Sequence, residues 1–116
     1  DWSQYQDHFV AIICSQDAII PTWAYMLISS ALAPYASLIS VGSTETLESI
    51  VFRNWVDQNI IAEEYTDHRI VIKGCSKHPV PTDAYAYLTQ QLQPFAKNIM
   101  FGEPCSTVPI FKKKRY

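Results

Sequence analysis

Tyr5-Gln6-Asp7-His8 and Tyr65-Thr66-Asp67-His68 are two versions of one tetrapeptide, sixty residues apart. One inserted residue then brings Cys14-Ser15 onto Cys75-Ser76, and the sixty-residue offset returns for Pro21-Thr22 and Pro81-Thr82. It holds for Ala24/Ala84, Tyr25/Tyr85, Leu32/Leu92, Pro34/Pro94, Ala36/Ala96, Ile39/Ile99 and Gly42/Gly102. With Ile12 on Ile72 the matches number fifteen across roughly forty positions, too many for coincidence. The period exceeds that of solenoid repeats and there are two copies, about 5–42 and 65–102. The repeat therefore predicts a duplicated supersecondary unit inside one domain.

Each copy reads as strand, loop, helix, strand. Residues 9–13 and 69–73 are rich in β-branched side chains with little polar alternation, the pattern of a strand covered on both faces. Pro21-Thr22 and Pro81-Thr82 are helix starts, with each Thr available as a cap. The helices run to about Leu32 and Leu92, where Pro34 and Pro94 stop them. Short strands follow at 37–41 and 98–101, each closed by a glycine. A βαβ order requires a parallel pair with a right-handed crossover. The predicted fold class is α/β, with a mostly parallel sheet. Between the copies, residues 44–59 form one more helix, with Leu47, Ile50, Val51 and Trp55 at helical spacing on one face. Residues 107–111 read as a last strand, antiparallel because its connection is too short for a crossover. The basic end, 112–116, reads as a solvated terminus.

The two repeat helices differ in kind. The second has a stripe of Tyr85, Leu88 and Leu92, with Thr89, Gln90, Gln91 and Gln93 outside it. The first, 23–33, is apolar nearly all round. Such a helix is buried on more than one side. In a small domain this predicts a homodimer, or packing on a further N-terminal segment of a longer chain of which these residues are the C-terminal part.

Composition narrows the function classes. Of 116 residues, 48% are apolar and 17% charged, enough to build a core. Nine basic against eleven acidic residues leave a net charge of −2, which argues against a general nucleic-acid binder. The longest uncharged stretch, 18–44, is broken by Pro21, Pro34 and Gly42 and is not a membrane span. Three cysteines cannot all pair with one another, which fits a reducing, cytoplasmic setting better than a disulfide scaffold.

In parallel α/β sheets ligands bind beyond the carboxyl ends of the strands. Cys14 and Cys75 fall there, at equivalent positions of the two copies. Cys105 follows the second strand of the second copy, and its counterpart in the first is Glu45. The four strand ends thus carry Cys14, Glu45, Cys75 and Cys105, expected at one edge of the sheet. Asp17 and His78, three residues past the repeat cysteines, are reserve ligands. Thiolate with carboxylate or imidazole suits zinc or an iron–sulfur cluster, not Mg²⁺ or Ca²⁺. Against this, cysteine is often a small buried hydrophobe, and no CxxC pair is present. A metal site, inert cysteines and a redox or sulfur-carrying thiol all stay open.

Other chemistries are excluded. A phosphatase or rhodanese loop needs Arg about six residues after its Cys; Ile20 and Pro81 stand there. There is no P-loop, no GxGxxG and no GxSxG elbow. His8 and His68 precede their strands, at the opposite edge from the cysteines, and read as turn residues rather than catalysts.

Several strings resemble a known family: Val71-Ile72-Lys73-Gly74-Cys75-Ser76-Lys77, Pro79-Val80-Pro81-Thr82, Leu92-Gln93-Pro94, and most specifically Gly102-Glu103-Pro104-Cys105-Ser106-Thr107-Val108-Pro109. With Cys14-Ser15 and Pro21-Thr22-Trp23-Ala24-Tyr25, they resemble domain of unknown function 2480 over essentially the whole chain. The resemblance implies a cytosolic role near iron–sulfur maturation, with assembly proteins as partners, and it carries over Cys14, Cys75 and Cys105, with Glu45 less surely. It discounts His78. No activity is established for that family. The leading expectation is a non-catalytic metal- or iron–sulfur-binding accessory protein. A thiol-dependent sulfur-transfer enzyme and a structural dimeric module with inert cysteines are the alternatives.

Overall fold

The computed structural model describes residues 1–74, 77, 79–103 and 105–114. It divides into two compact units, Asp1–Val51 and Phe52–Tyr116. The first holds a 3-10 turn (Trp2–Tyr5), strand β1 (Phe9–Ile12), helix α1 (Thr22–Leu32) and strand β2 (Leu38–Val41). Helix α2 (Thr44–Asn59) begins in the first unit and ends in the second. The second continues with a 3-10 turn (Ala62–Tyr65), β3 (Arg69–Ile72), α3 (Thr82–Leu92), β4 (Asn98–Glu103) and β5 (Ser106–Lys112).

Strand β1 pairs with β2 in parallel, from Phe9 opposite Leu38 to Ile12 opposite Val41. Strand β3 pairs with β4 in parallel in the same way, from Arg69 opposite Asn98 to Ile72 opposite Phe101. Strand β5 joins β4 antiparallel, as its two-residue connection requires. The fold is thus mixed α/β. Among the described residues, five strands form two sheets, one of two strands and one of three, rather than the one sheet the repeat suggested. A repeat records how each copy pairs internally and carries no information on whether β2 meets β3.

The paired tetrapeptides explain themselves as turns. Asp7 (φ 61°) and Asp67 (φ 60°) are the non-glycine residues with positive φ among those described. Asp tolerates this left-handed geometry better than most residues. The Asp7 amide donates to the Tyr35 carbonyl and the Asp67 amide to that of Phe95, both at 2.8 Å. The His8 and His68 carbonyls accept from Ser37 and Lys97 at 2.8 and 2.9 Å, and each His ring meets its Tyr ring edge-on. The motif thereby ties the start of one strand to the segment leading into the next.

Helices α1 and α3 begin differently from expectation. Pro21 and Pro81 occupy the cap position, and Thr22 and Thr82 are the first helical residues with no side-chain cap bond. Proline has no amide of its own to satisfy there, and the Pro21 and Pro81 carbonyls accept from the Ala24 and Ala84 amides at 3.0 and 2.9 Å. Both helices stop as expected, with two amides beyond each folding back on the Leu32 or Leu92 carbonyl. Helix α2 is capped by Ser43, whose Oγ accepts from the Thr46 amide at 3.2 Å.

The core of the second unit is Leu92, Ala96 and Ile99, with Ile70, Ile72, Leu88 and Phe111 packed against it. Ile99 is wholly buried. In the first unit Leu32 is buried at 1% exposure, but Phe9, Ile13 and Val41 are exposed, so β1 is not covered on both faces as its composition suggested. In α2, Leu47 is buried as expected, while Trp55 is 55% exposed and Val56 is buried in its place. No helix of the described residues is long and apolar enough to cross a membrane.

Candidate functional site

Cys14 lies two residues beyond the carboxyl end of β1, where the chain leaves the strand for the loop leading to α1. Its thiol is exposed, unpaired, and donates to the Gln16 carbonyl at 2.9 Å. The same carbonyl accepts from the Ala18 amide at 2.9 Å, which folds the loop into a tight hook. Cys14 opens onto an apolar pocket of about 300 Å³, lined among others by Ile12, Ile20, Ala24, Tyr25 and Ile28. A hydrophobic recess with one reactive atom at its rim is suited to holding a soft metal or a sulfur-bearing group. Ligation or nucleophilic use of the thiol would replace its bond to Gln16.

Glu45 is exposed in the first turn of α2, where a carboxylate also complements the helix dipole. Asp17 is exposed in the loop after Cys14. Cys105 is exposed and unpaired in the turn between β4 and β5. Cys75 and His78 lie outside the described residues. Among the described residues, no three His, Cys, Asp or Glu side chains are grouped to hold a metal ion. Cys14 and Glu45 belong to the first unit and Cys105 to the second. Strands β1 and β2 pair in one sheet and β3, β4 and β5 in another.

Within the second unit, sequence reasoning missed a polar cluster joining the end of α2 to the start of α3. Arg53 donates from Nε and Nη2 to both carboxylate oxygens of Asp83, at 2.9 and 2.8 Å. The Arg53 guanidinium also sits 4.7 Å from the Tyr87 ring centroid, and the Tyr87 hydroxyl donates to Asp57. The hydrogen bonds donated by Arg53 hold the Asp83 carboxyl below its usual range, and the same bonds raise Arg53. The bond to Asp57 pushes the Tyr87 hydroxyl up. The i, i+4 spacing of Arg53 with Asp57 and of Asp83 with Tyr87 was the available signal. It does not say that the two pairs meet. A fork-to-carboxylate pair beside a ring is a clamp between helices.

The family profile described as "Protein of unknown function (DUF2480)" matches residues 1–113. No curated protein and no solved structure matches the chain.

Proposed function

Because the chain belongs to this family of proteins of unknown function, we propose its role from its thiols: it is a non-catalytic metal- or iron–sulfur-binding accessory protein. Cys14, Cys75 and Cys105 are the proposed thiolate ligands, with Glu45 as a further donor and zinc or an iron–sulfur cluster as the occupant. The observation that carries this reading is that both described cysteines are exposed and unpaired just past strand ends. Inert cysteines are normally buried hydrophobes, whereas exposed thiols invite oxidation unless they are put to use. The matched repeat positions support a duplicated βαβ unit as the origin of the paired Cys14 and Cys75. The resemblance supports a cytoplasmic place near iron–sulfur assembly.

A second reading is favoured by the pocket at Cys14: a sulfur carrier with that one thiol as nucleophile. Single Cys→Ser substitutions separate the two. If the cysteines are ligands, each of the three substitutions lowers bound zinc or iron. If Cys14 is a nucleophile, only Cys14→Ser abolishes a trapped persulfide, and metal content does not respond.

The exposed stripe Trp23, Met26 and Leu27 on α1 supports pairing with a second copy of the chain. The solution mass by light scattering should be that of a dimer, and Leu27→Lys should reduce it to that of a monomer. A monomeric wild-type protein contradicts the pairing.

A further inference from the structure

One end of the three-stranded sheet is strongly basic, although the chain as a whole is acidic. Five of the nine basic residues line a single cleft of about 780 Å³ there: Arg69, Lys97, Lys112, Lys113 and Lys114. The strand register explains how they meet. Arg69 is opposite Asn98 on β3–β4, and Asn98 is opposite Lys112 on β4–β5, so the three stand in one row across the sheet. Ile70, Ile72, Ile99 and Phe111 face the core with α3. Alternation therefore puts the row on the opposite face of the sheet. Lys113 is fixed beside Lys97 by a backbone bond of 2.8 Å from its amide to the Lys97 carbonyl. The register shift between Ile99 and Met100 bends β5 just before these lysines.

The fold does not require this charge. The residues sixty positions before Arg69, Lys97 and Asn98 are Phe9, Ser37 and Leu38, which start the equivalent strands without any cation. Like charges on neighbouring strands destabilise a sheet. Among the described residues one acidic partner offsets them, Asp67 with Lys113 at 3.2 Å. Asn98 lines the same cleft, and its side-chain oxygen is buried without a hydrogen-bond partner. Its amide can also present two N–H donors.

We propose that this cleft binds a small polyanion carrying linked phosphate groups, with Arg69 and Lys112 as its principal contacts. Four cations remain beyond the Asp67–Lys113 pair, which a chain of two or three phosphates neutralises within so small a volume. The planar fork of Arg69 suits phosphate oxygens, and the lysines supply point charge. A free inorganic polyphosphate and a nucleotide would present the same group.

The test is calorimetric titration of the whole chain with inorganic triphosphate, ATP and citrate. Triphosphate should bind, and binding should weaken as salt is raised from about 0.05 to about 0.3 M. Arg69→Gln with Lys112→Gln should weaken it about tenfold or more. Lys114→Gln, beyond the end of β5 and without a part in the fold, should by itself weaken it about threefold. Lys73→Gln with Lys77→Gln removes the same charge outside the cleft and should change affinity less than about twofold. ATP binding more tightly than triphosphate would identify a nucleotide; equal affinity would identify the phosphate chain alone. The proposal is overturned by failure of triphosphate to bind, by citrate binding as tightly, or by equal losses in the cleft and control variants.

Discussion

Asp7 and Asp67 show how a residue can look catalytic and be conformational. An Asp-His pair repeated in both copies invites an acid–base reading. Both aspartates instead sit at φ near +60°, where most side chains are strained, and their amides close the turn onto Tyr35 and Phe95. The position asks for a residue that tolerates positive φ. Asp7→Gly should therefore leave stability unchanged or raise it by less than about 1 kcal/mol. Asp7→Val should lower it by about 1–2 kcal/mol. Urea unfolding midpoints of the two variants check this; equal effects would show that the backbone angle is not what the position selects. This part of the site was legible in the sequence, because His8 and His68 precede their strands. The left-handed geometry behind it was not, since Asp is common in many kinds of turn.

At the scale of elements, α2 and α3 are joined by the Arg53–Asp83 fork and the Tyr87–Asp57 bond. Both helices were legible from periodicity, and α2 has the predicted limits, Thr44–Asn59. The clamp between them was not, because it depends on which faces meet. It gives stability a pH dependence at both ends. The Asp83 carboxyl is lowered from 3.8, chiefly by the Arg53 hydrogen bond. Its contribution is present above that unfolded value and is lost as pH falls through the lower folded one. Tyr87 is raised from 10.0, chiefly by its bond to Asp57, so its contribution is present below that value and fades as pH rises through the folded one. Arg53 and Asp57 are exposed and Asp83 and Tyr87 partly so, so the effects are small and weaken with salt. Thermal midpoints of Asp83→Asn should lose part of the decline that wild type shows in acid, and those of Tyr87→Phe part of the decline in alkali. Parallel wild-type and variant profiles at both ends would remove the clamp from the account.

For the whole molecule, the repeat predicted the two parallel pairings, and the short connection after β4 predicted the antiparallel β5. The repeat did not predict two sheets. Identities at equivalent positions reflect contacts made within each copy, such as the Asp67 amide on Phe95 or the Leu92 carbonyl closing its helix. Whether two such copies share a sheet depends on strand edges, and edge pairing leaves no periodic mark. The same gap explains why β1 read as buried while Phe9 is exposed. The cysteines were legible as candidates because they follow strand ends, and the pocket beside Cys14 was not, because Tyr25 and Ile28 reach it only once α1 is folded onto β1.

The proposed function requires Cys14, Cys75 and Cys105 to act as ligands. The measurement that tests it most directly is the metal-to-protein ratio, by mass spectrometry with an absorption spectrum, of protein purified without oxygen. The comparison is a variant carrying Cys14→Ser, Cys75→Ser and Cys105→Ser together. The account predicts near-stoichiometric zinc or iron in the wild type and its loss in the variant. Metal absent from both, or retained equally in both, would contradict it.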